Sequence, residues 1–213
     1  MFGSSRTQFA QAASADASEQ CRFCNIVERE PLIDASSEAV VAPSFGAFIE
    51  GWTLVIPRMH VLSIAALSDD EWPGFESMLS YHRERMRDIY GPIVEFEHGS
   101  AGPCRSAGCG TDHAHRHFVP SDVDLRQIIN DCPDFHGRFS WSSVNDRPPC
   151  VPGLDYIWIS DATGMWIAFD KAQPSQVVRR ALAYWCGKSE WDWRSDLHLD
   201  IVENTRQHIL AAV

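Results

Sequence analysis

No run of apolar residues in the chain approaches the roughly 20 needed to cross a bilayer as a helix, so a soluble protein with no membrane partner is expected. The opening residues 1–20 lack the apolar segment of a secretory signal and, rich in Ala, Ser and Gln, are expected to form a disordered tail. Positive charge is scarce: 18 Lys and Arg stand against 29 Asp and Glu, for a net charge of -11. That balance argues against broad nucleic-acid binding but leaves room for a small basic pocket that takes a phosphate. The cysteine count, seven, is odd, and without an export signal it favours reduced thiols or metal ligands over a disulfide framework, hence a cytoplasmic protein. Core material is plentiful, with 45% hydrophobic residues and eight tryptophans, and 213 residues suit one domain with a substantial appendage.

The most distinctive stretch is Thr111-Asp112-His113-Ala114-His115-Arg116-His117-Phe118-Val119-Pro120. If extended, it places His113, His115 and His117 on one face and Ala114, Arg116 and Phe118 on the other, because side chains alternate across a strand. Neighbouring imidazoles then lie about 7 Å apart, a row able to read a polyanion. Upstream, Cys21-Arg22-Phe23-Cys24 is a C-x-x-C pair that can pinch a zinc ion but fills only half of a tetrahedral site. No strand runs into it from the N-terminal side, which argues against thioredoxin-like redox chemistry. Trp52-Thr53-Leu54-Val55-Ile56-Pro57 reads as a central strand buried on both faces and ended by its proline. Ala39 to Ala42 and Ala47 to Glu50 are shorter strand candidates, and His60, past the exit of the central strand, is by itself as readily a structural histidine as a ligand.

Ser68-Asp69-Asp70-Glu71 has the form of a capping box, and Trp72, Phe75, Met78, Leu79, Met86 and Ile89 follow at helical spacing. The helix stops at Gly91 and Pro92, and Ile93 to Glu97 alternates as a strand. Residues His98 to Gly110 carry four glycines, a proline and two cysteines, a loop whose backbone amides can hold phosphate oxygens. Beyond an irregular connection from Asp131 to Pro152, Tyr156 to Ile159 and Met165 to Phe169 suggest a hairpin. A helix opening near Pro174 has Val178, Ala181, Leu182 and Trp185 on one side, and Gln176, Arg179 and Arg180 toward the other. That basic face is solvated by default, with phosphate contact as the alternative. Burial is the expected use of Trp191 and Trp193, with stacking on a base as the alternative, and Leu199 to Val213 reads as a last helix.

In order, Cys-x-Phe-Cys-x-Ile, Gly-x-x-Leu-Val-Ile-Pro-x-x-His, a capped helix and His-x-His-x-His-x-x resemble the histidine triad (HIT) superfamily of nucleotide hydrolases and nucleotidyl transferases over Cys21 to Pro120. The resemblance implies an α+β fold, with an antiparallel sheet of about five strands carrying the triad and the long helix packed behind it. Residues 21–120 would form the HIT-like catalytic domain, and 121–213 a hairpin-and-helix extension packing on or capping the site. It further implies that His115 attacks the α-phosphorus of a nucleotide, with Nδ1 bonded to the backbone carbonyl of His113. Cys21, Cys24, His60 and His113 would hold a structural zinc, with no organic cofactor. The implied partner is a nucleotide or nucleotidylated small molecule, and a homodimer is the family's common assembly.

The chemistry of the residues agrees. Imidazole is nucleophilic near neutral pH, and a covalent nucleotidyl-histidine replaces one high barrier with two moderate ones. His117 would touch phosphoryl oxygens or the bridging atom, and amides around Cys109 and Gly110 would stabilise charge at phosphorus. His98, Gln176, Arg179 and Arg180 are further candidates for substrate contact. Two alternatives stand beside this reading: a metal-dependent enzyme using the histidine row as ligands, and a catalytically silent nucleotide-binding protein. Several positions depart from the family pattern, and Glu97 and His98 lie near where the resemblance puts an asparagine that meets phosphate in other branches. Arg116 replaces an apolar residue, so its face should be partly exposed or covered by an acidic residue of the C-terminal region. Gly110 stands in place of a serine or threonine, and Trp52 in place of a histidine.

Overall fold

A computed structural model describes residues 21–29, 32–103 and 111–212. The expected tail 1–20 and the loop residues Cys104, Cys109 and Gly110 lie outside them. No helix among the described residues is long and apolar enough to cross a membrane.

The chain forms an α+β structure on one antiparallel sheet of eight strands rather than about five. The strands are β1 (Asp34–Ala35), β2 (Ala39–Pro43), β3 (Thr53–Pro57), β4 (Ile93–Gly99), β5 (Arg116–Pro120), β6 (Ser142–Ser143), β7 (Asp155–Asp161) and β8 (Gly164–Asp170), in the order β1-β2-β3-β5-β4-β7-β8-β6. The first five come from the N-terminal half, as the motifs require. The extra three come from the C-terminal half, because β7 pairs along β4 from Glu95 opposite Ser160 to Gly99 opposite Tyr156. The unbroken apolar run of β3 accounts for its central place, and all its residues are buried. The second short candidate, Ala47 to Glu50, is a bend and turn instead of a strand. Gly46 (φ 67°) and Gly51 (φ 86°) bracket it in left-handed conformations that end strand pairing.

Among the described residues five α-helices pack around the sheet: α1 (Ile26–Arg29), α2 (Trp72–Tyr90), α3 (Leu125–Asp131), α4 (Val177–Trp185) and α5 (Leu199–Ala211). The capping box forms just before α2, where Ser68 N–H donates to Glu71 Oε2 at 2.7 Å and Glu71 N–H donates to Ser68 Oγ at 3.2 Å. Phe75, Leu79 and Met86 of α2 pack on Val41, Val55 and Phe118 across one face of the sheet. The opposite face carries Trp52, Phe96, Ile157 and Ile159 against Ile128 of α3 and Val178 and Leu182 of α4. On that second face His117 sits between its cross-strand partners Leu54 and Phe96.

Arg116, on the α2 face, is fully buried rather than partly exposed. The expected acidic cover is there: Asp146 Oδ1 accepts from Nη1 at 2.7 Å, Glu95 and Glu97 stand at 3.8 and 3.9 Å, and the Trp158 ring lies 3.6 Å from the guanidinium carbon. A cation–π contact and three carboxylates thus compensate the desolvated charge.

Candidate active site and metal centre

Only His117 of the histidine row lies within β5; His113 and His115 occupy the segment leading into it. Alternation nevertheless holds, since Ala114 and Phe118 pack under α2 while His115 and His117 line a cleft on the other side.

His113 turns toward the C-x-x-C pair. Its Nε2 donates to the Pro57 carbonyl at 2.8 Å, which leaves the Nδ1 lone pair facing the thiols. Cys21 Sγ lies 3.5 Å and Cys24 Sγ 3.7 Å from that Nδ1, and Cys24 Sγ lies 3.1 Å from His60 Nδ1. The donor atoms of Cys21, Cys24, His60 and His113 all fall within 4.8 Å of one another. Tetrahedral zinc with bonds of about 2.0–2.3 Å sets its ligand atoms roughly 3.3–3.8 Å apart, close to the spacing seen here. Burial and the neighbouring Cys21 push the Cys24 thiol up to about 12. These donors fit a divalent metal.

The two residues between the cysteines face the other way. Phe23 packs edge-on against both His113 and His115, with centroids at 5.9 and 5.2 Å, and Arg22 lies on the cleft wall. His115 Nδ1 donates to the His113 carbonyl at 2.8 Å, the bond the resemblance implied, which leaves Nε2 as its bare nitrogen. Burial, opposed by that backbone bond and aided by the charge of Arg179, depresses His115 to about 4, so the ring is neutral at pH 7. His117 stacks on Phe96 at 4.2 Å and accepts at Nδ1 from the Trp52 indole N–H at 3.0 Å.

The cleft measures about 490 Å³ out to its open mouth. Of the arginines of α4, Arg179 reaches it: the guanidinium is buried, bonds the Gly46 carbonyl and the Ser44 hydroxyl, and lies 4.3 Å from the Trp52 ring centroid. The default solvated face is therefore overturned for Arg179, and also for Gln176, which is fully buried and donates to Asp192 at 3.2 Å. Arg180 points away from the cleft, pairing with Asp134 and covering the Phe135 and Trp191 rings. His98 is buried behind the cleft lining, where its Nε2 accepts from Val178 N–H at 3.4 Å and burial depresses it to about 3. Neither Gln176, Arg180 nor His98 lines the cleft. Cys109 and Gly110 fall outside the described residues.

Sequence reasoning missed Phe45 and Ser44 of the lining and set burial above base stacking for Trp193. Trp193 lines the cleft instead of being fully buried, and Phe45 and Ser44 arrive from the turn after β2. The Trp52–His117 bond spans 65 residues; its only sequence signal was an indole where the resemblance led to the expectation of a histidine.

No protein-family model matches the chain, and no curated protein matches it. Solved structures do. A hypothetical protein from Leishmania major is 18% identical, with 50% of this chain and 77% of that chain covered at a TM-score of 0.43. A member of the HIT family from Bacillus subtilis is 20% identical, covering 47% and 72% at 0.42. A Zn-bound histidine triad family protein from Mycobacterium smegmatis is 24% identical, covering 48% and 76% at 0.39.

Proposed function

We propose that the protein is a nucleotidyl hydrolase or nucleotidyltransferase that cleaves at the α-phosphorus of a nucleotide substrate through a covalent nucleotidyl-His115 intermediate. The observation that carries this reading is the 2.8 Å bond from His115 Nδ1 to the His113 carbonyl. It commits the ring hydrogen to Nδ1 and turns an unprotonated Nε2 into a nucleophile at the cleft. Arg22 and Arg179 supply positive charge beside it in a protein of net charge -11, which suits an anionic substrate. His117 meets the phosphoryl oxygens. The Cys21, Cys24, His60 and His113 set holds one structural zinc: with all four positions filled by protein it is closed to substrate and fixes the turn that presents Arg22 and Phe23. The row-as-ligands reading fits less well, since His115 and His117 commit their Nδ1 atoms to a carbonyl and an indole while His113 alone faces the thiols.

The test is intact-mass analysis after brief exposure to a panel comprising a dinucleoside polyphosphate, a nucleoside phosphoramidate, an acyl-adenylate and a sugar nucleotide. A nucleoside-monophosphate increment that maps to His115 and is lost in His115→Ala is expected. If no substrate gives an adduct, and turnover vanishes on chelation and returns with metal while the fold persists, the metalloenzyme reading replaces this one.

A further inference from the structure

Trp52 is fully buried, and its Nε1–H donates to His117 Nδ1 at 3.0 Å. An indole nitrogen only donates, so Nδ1 must be the acceptor and the ring hydrogen of His117 is on Nε2. That Nε2 is buried and has no hydrogen-bond partner among the described residues, in a side chain 4% exposed that lines the cleft. It is a donor waiting for an acceptor.

The surroundings hold this form in place. The Arg179 guanidinium on the Trp52 face draws electron density from the indole and strengthens its N–H as a donor. A second hydrogen on Nδ1 would collide with the indole hydrogen, and the resulting cation would stand near the Arg179 charge and beside the His115 and His98 rings. Losing the Nε2 hydrogen would leave an imidazolate, which is inaccessible near neutral pH. His117 can therefore neither give nor take a proton.

We propose that Trp52 is a positioning residue that fixes His117 as a neutral Nε2–H donor to a phosphoryl oxygen, and that the site is matched to an α-phosphorus bearing an acidic leaving group, a phosphate or a carboxylate. This rests on the reading of His115 as nucleophile. The other hydrogen donors on the described cleft lining are the hydroxyls of Ser44 and Thr111, the guanidiniums of Arg22 and Arg179, the Trp193 indole N–H and the His115 Nδ1–H already held by the His113 carbonyl, together with backbone amides; none is an acid near neutral pH. In the step, the His115 Nε2 lone pair forms the P–N bond. The P–O bond breaks with its electron pair on the departing oxygen, and no proton moves. The phosphorylated imidazole is left cationic, its Nδ1–H still on the His113 carbonyl. Attack by water then forms a P–O bond, returns the P–N pair to Nε2 and releases a proton to solvent. Phosphate and carboxylate leave as stable anions beside the arginines, whereas amines and alkoxides would need a proton that the lining among the described residues does not offer.

Nitrogen-15 histidine spectra of the full resting chain read the tautomer directly. His117 is expected with Nε2 protonated and Nδ1 as acceptor from mildly acid to mildly alkaline pH, a signature that Trp52→Phe scrambles. His117 carrying its hydrogen on Nδ1, or a charged His117, overturns the assignment on the wild-type protein alone, whatever the variant's folding. Adduct formation on His115 should then fall steeply across adenosine 5′-aryl phosphates as the phenol becomes less acidic, with no adduct from an adenosine phosphoramidate. Equal rates for the phosphoramidate and the most acidic phenol would sink the leaving-group inference with His115 still the nucleophile. The expected tautomer with no adduct from any substrate would instead sink the His115 reading, and the substrate class with it, leaving the Trp52 assignment standing.

Discussion

The two faces of β5 handle polar groups in opposite ways. On the α2 side, Arg116 carries a full charge matched inside the chain by Glu95, Glu97, Asp146 and the Trp158 ring. On the cleft side, burial and the positive charge of Arg179 keep His115 and His117 neutral, and the His117 Nε2 hydrogen has no partner among the described residues. One face is closed by charge compensation, so it belongs to stability. The other leaves the bare Nε2 of His115 and the Nε2 hydrogen of His117 open, which a folded chain tolerates where a ligand completes the set.

Four measurements press on that contrast. On the cleft face, His115→Ala should cut turnover by on the order of 10⁴-fold or more while the melting midpoint moves little; comparable activity in the variant would end the assignment of roles to the two faces. On the closed face, Arg116→Met leaves the buried Glu97 without its cation, while Glu95 and Asp146 keep Arg83, and should cost about 3–5 kcal/mol in chemical denaturation. Its folded fraction should still form the His115 adduct, and adding Glu97→Gln should return part of the loss. Chelation removes the ion expected between Cys21, Cys24, His60 and His113, and should lower the midpoint by roughly 5–15 °C at about 2–4 °C per kcal/mol. Elemental analysis finding no bound metal in the native protein would remove that expectation.

The smallest effect is a pH slope. His82, against Thr53 and Phe118 on the α2 side, and His98 on the cleft side are both depressed to about 3 by burial. The unfolded chain takes up their protons first, so stability falls as pH drops from about 6.5 toward 3, by up to about 1.4 kcal/mol per unit for each ring. Burial raises Glu97 to about 7 against the pull of Arg116. Its contribution has the opposite sign: stability is lost as pH rises from 4.5 toward 7. His82→Gln should flatten the acid limb by one proton, read from urea midpoints across the range; an unchanged limb would show that His82 is charged in the folded protein.

The residues that were legible in the sequence have partners dictated by local spacing. The cysteine pair, the capping box, the strand ending at Pro57 and the alternating histidines each announce themselves within a few positions. Their convergence followed from a pattern of motifs, not from any single one. What was hidden depends on contacts between distant segments. Arg116 meets Asp146 from an irregular connection, Arg179 reaches the turn after β2 across 133 residues to Gly46, and Trp52 meets His117 across 65. No periodicity encodes those meetings. The eight-stranded sheet was undercounted for the same reason: the hairpin was readable, but its pairing to β4 is a tertiary choice.

That choice governs how the chain meets copies of itself. With β7 seated along β4, the two borders of the sheet are β1 and β6, each two residues long. A border that short offers too few rungs for a neighbour to extend the ladder, a common defence against edge-to-edge stacking. Contacts between copies are therefore expected on helix or loop surfaces, with few sheet-mediated aggregates when the protein is concentrated.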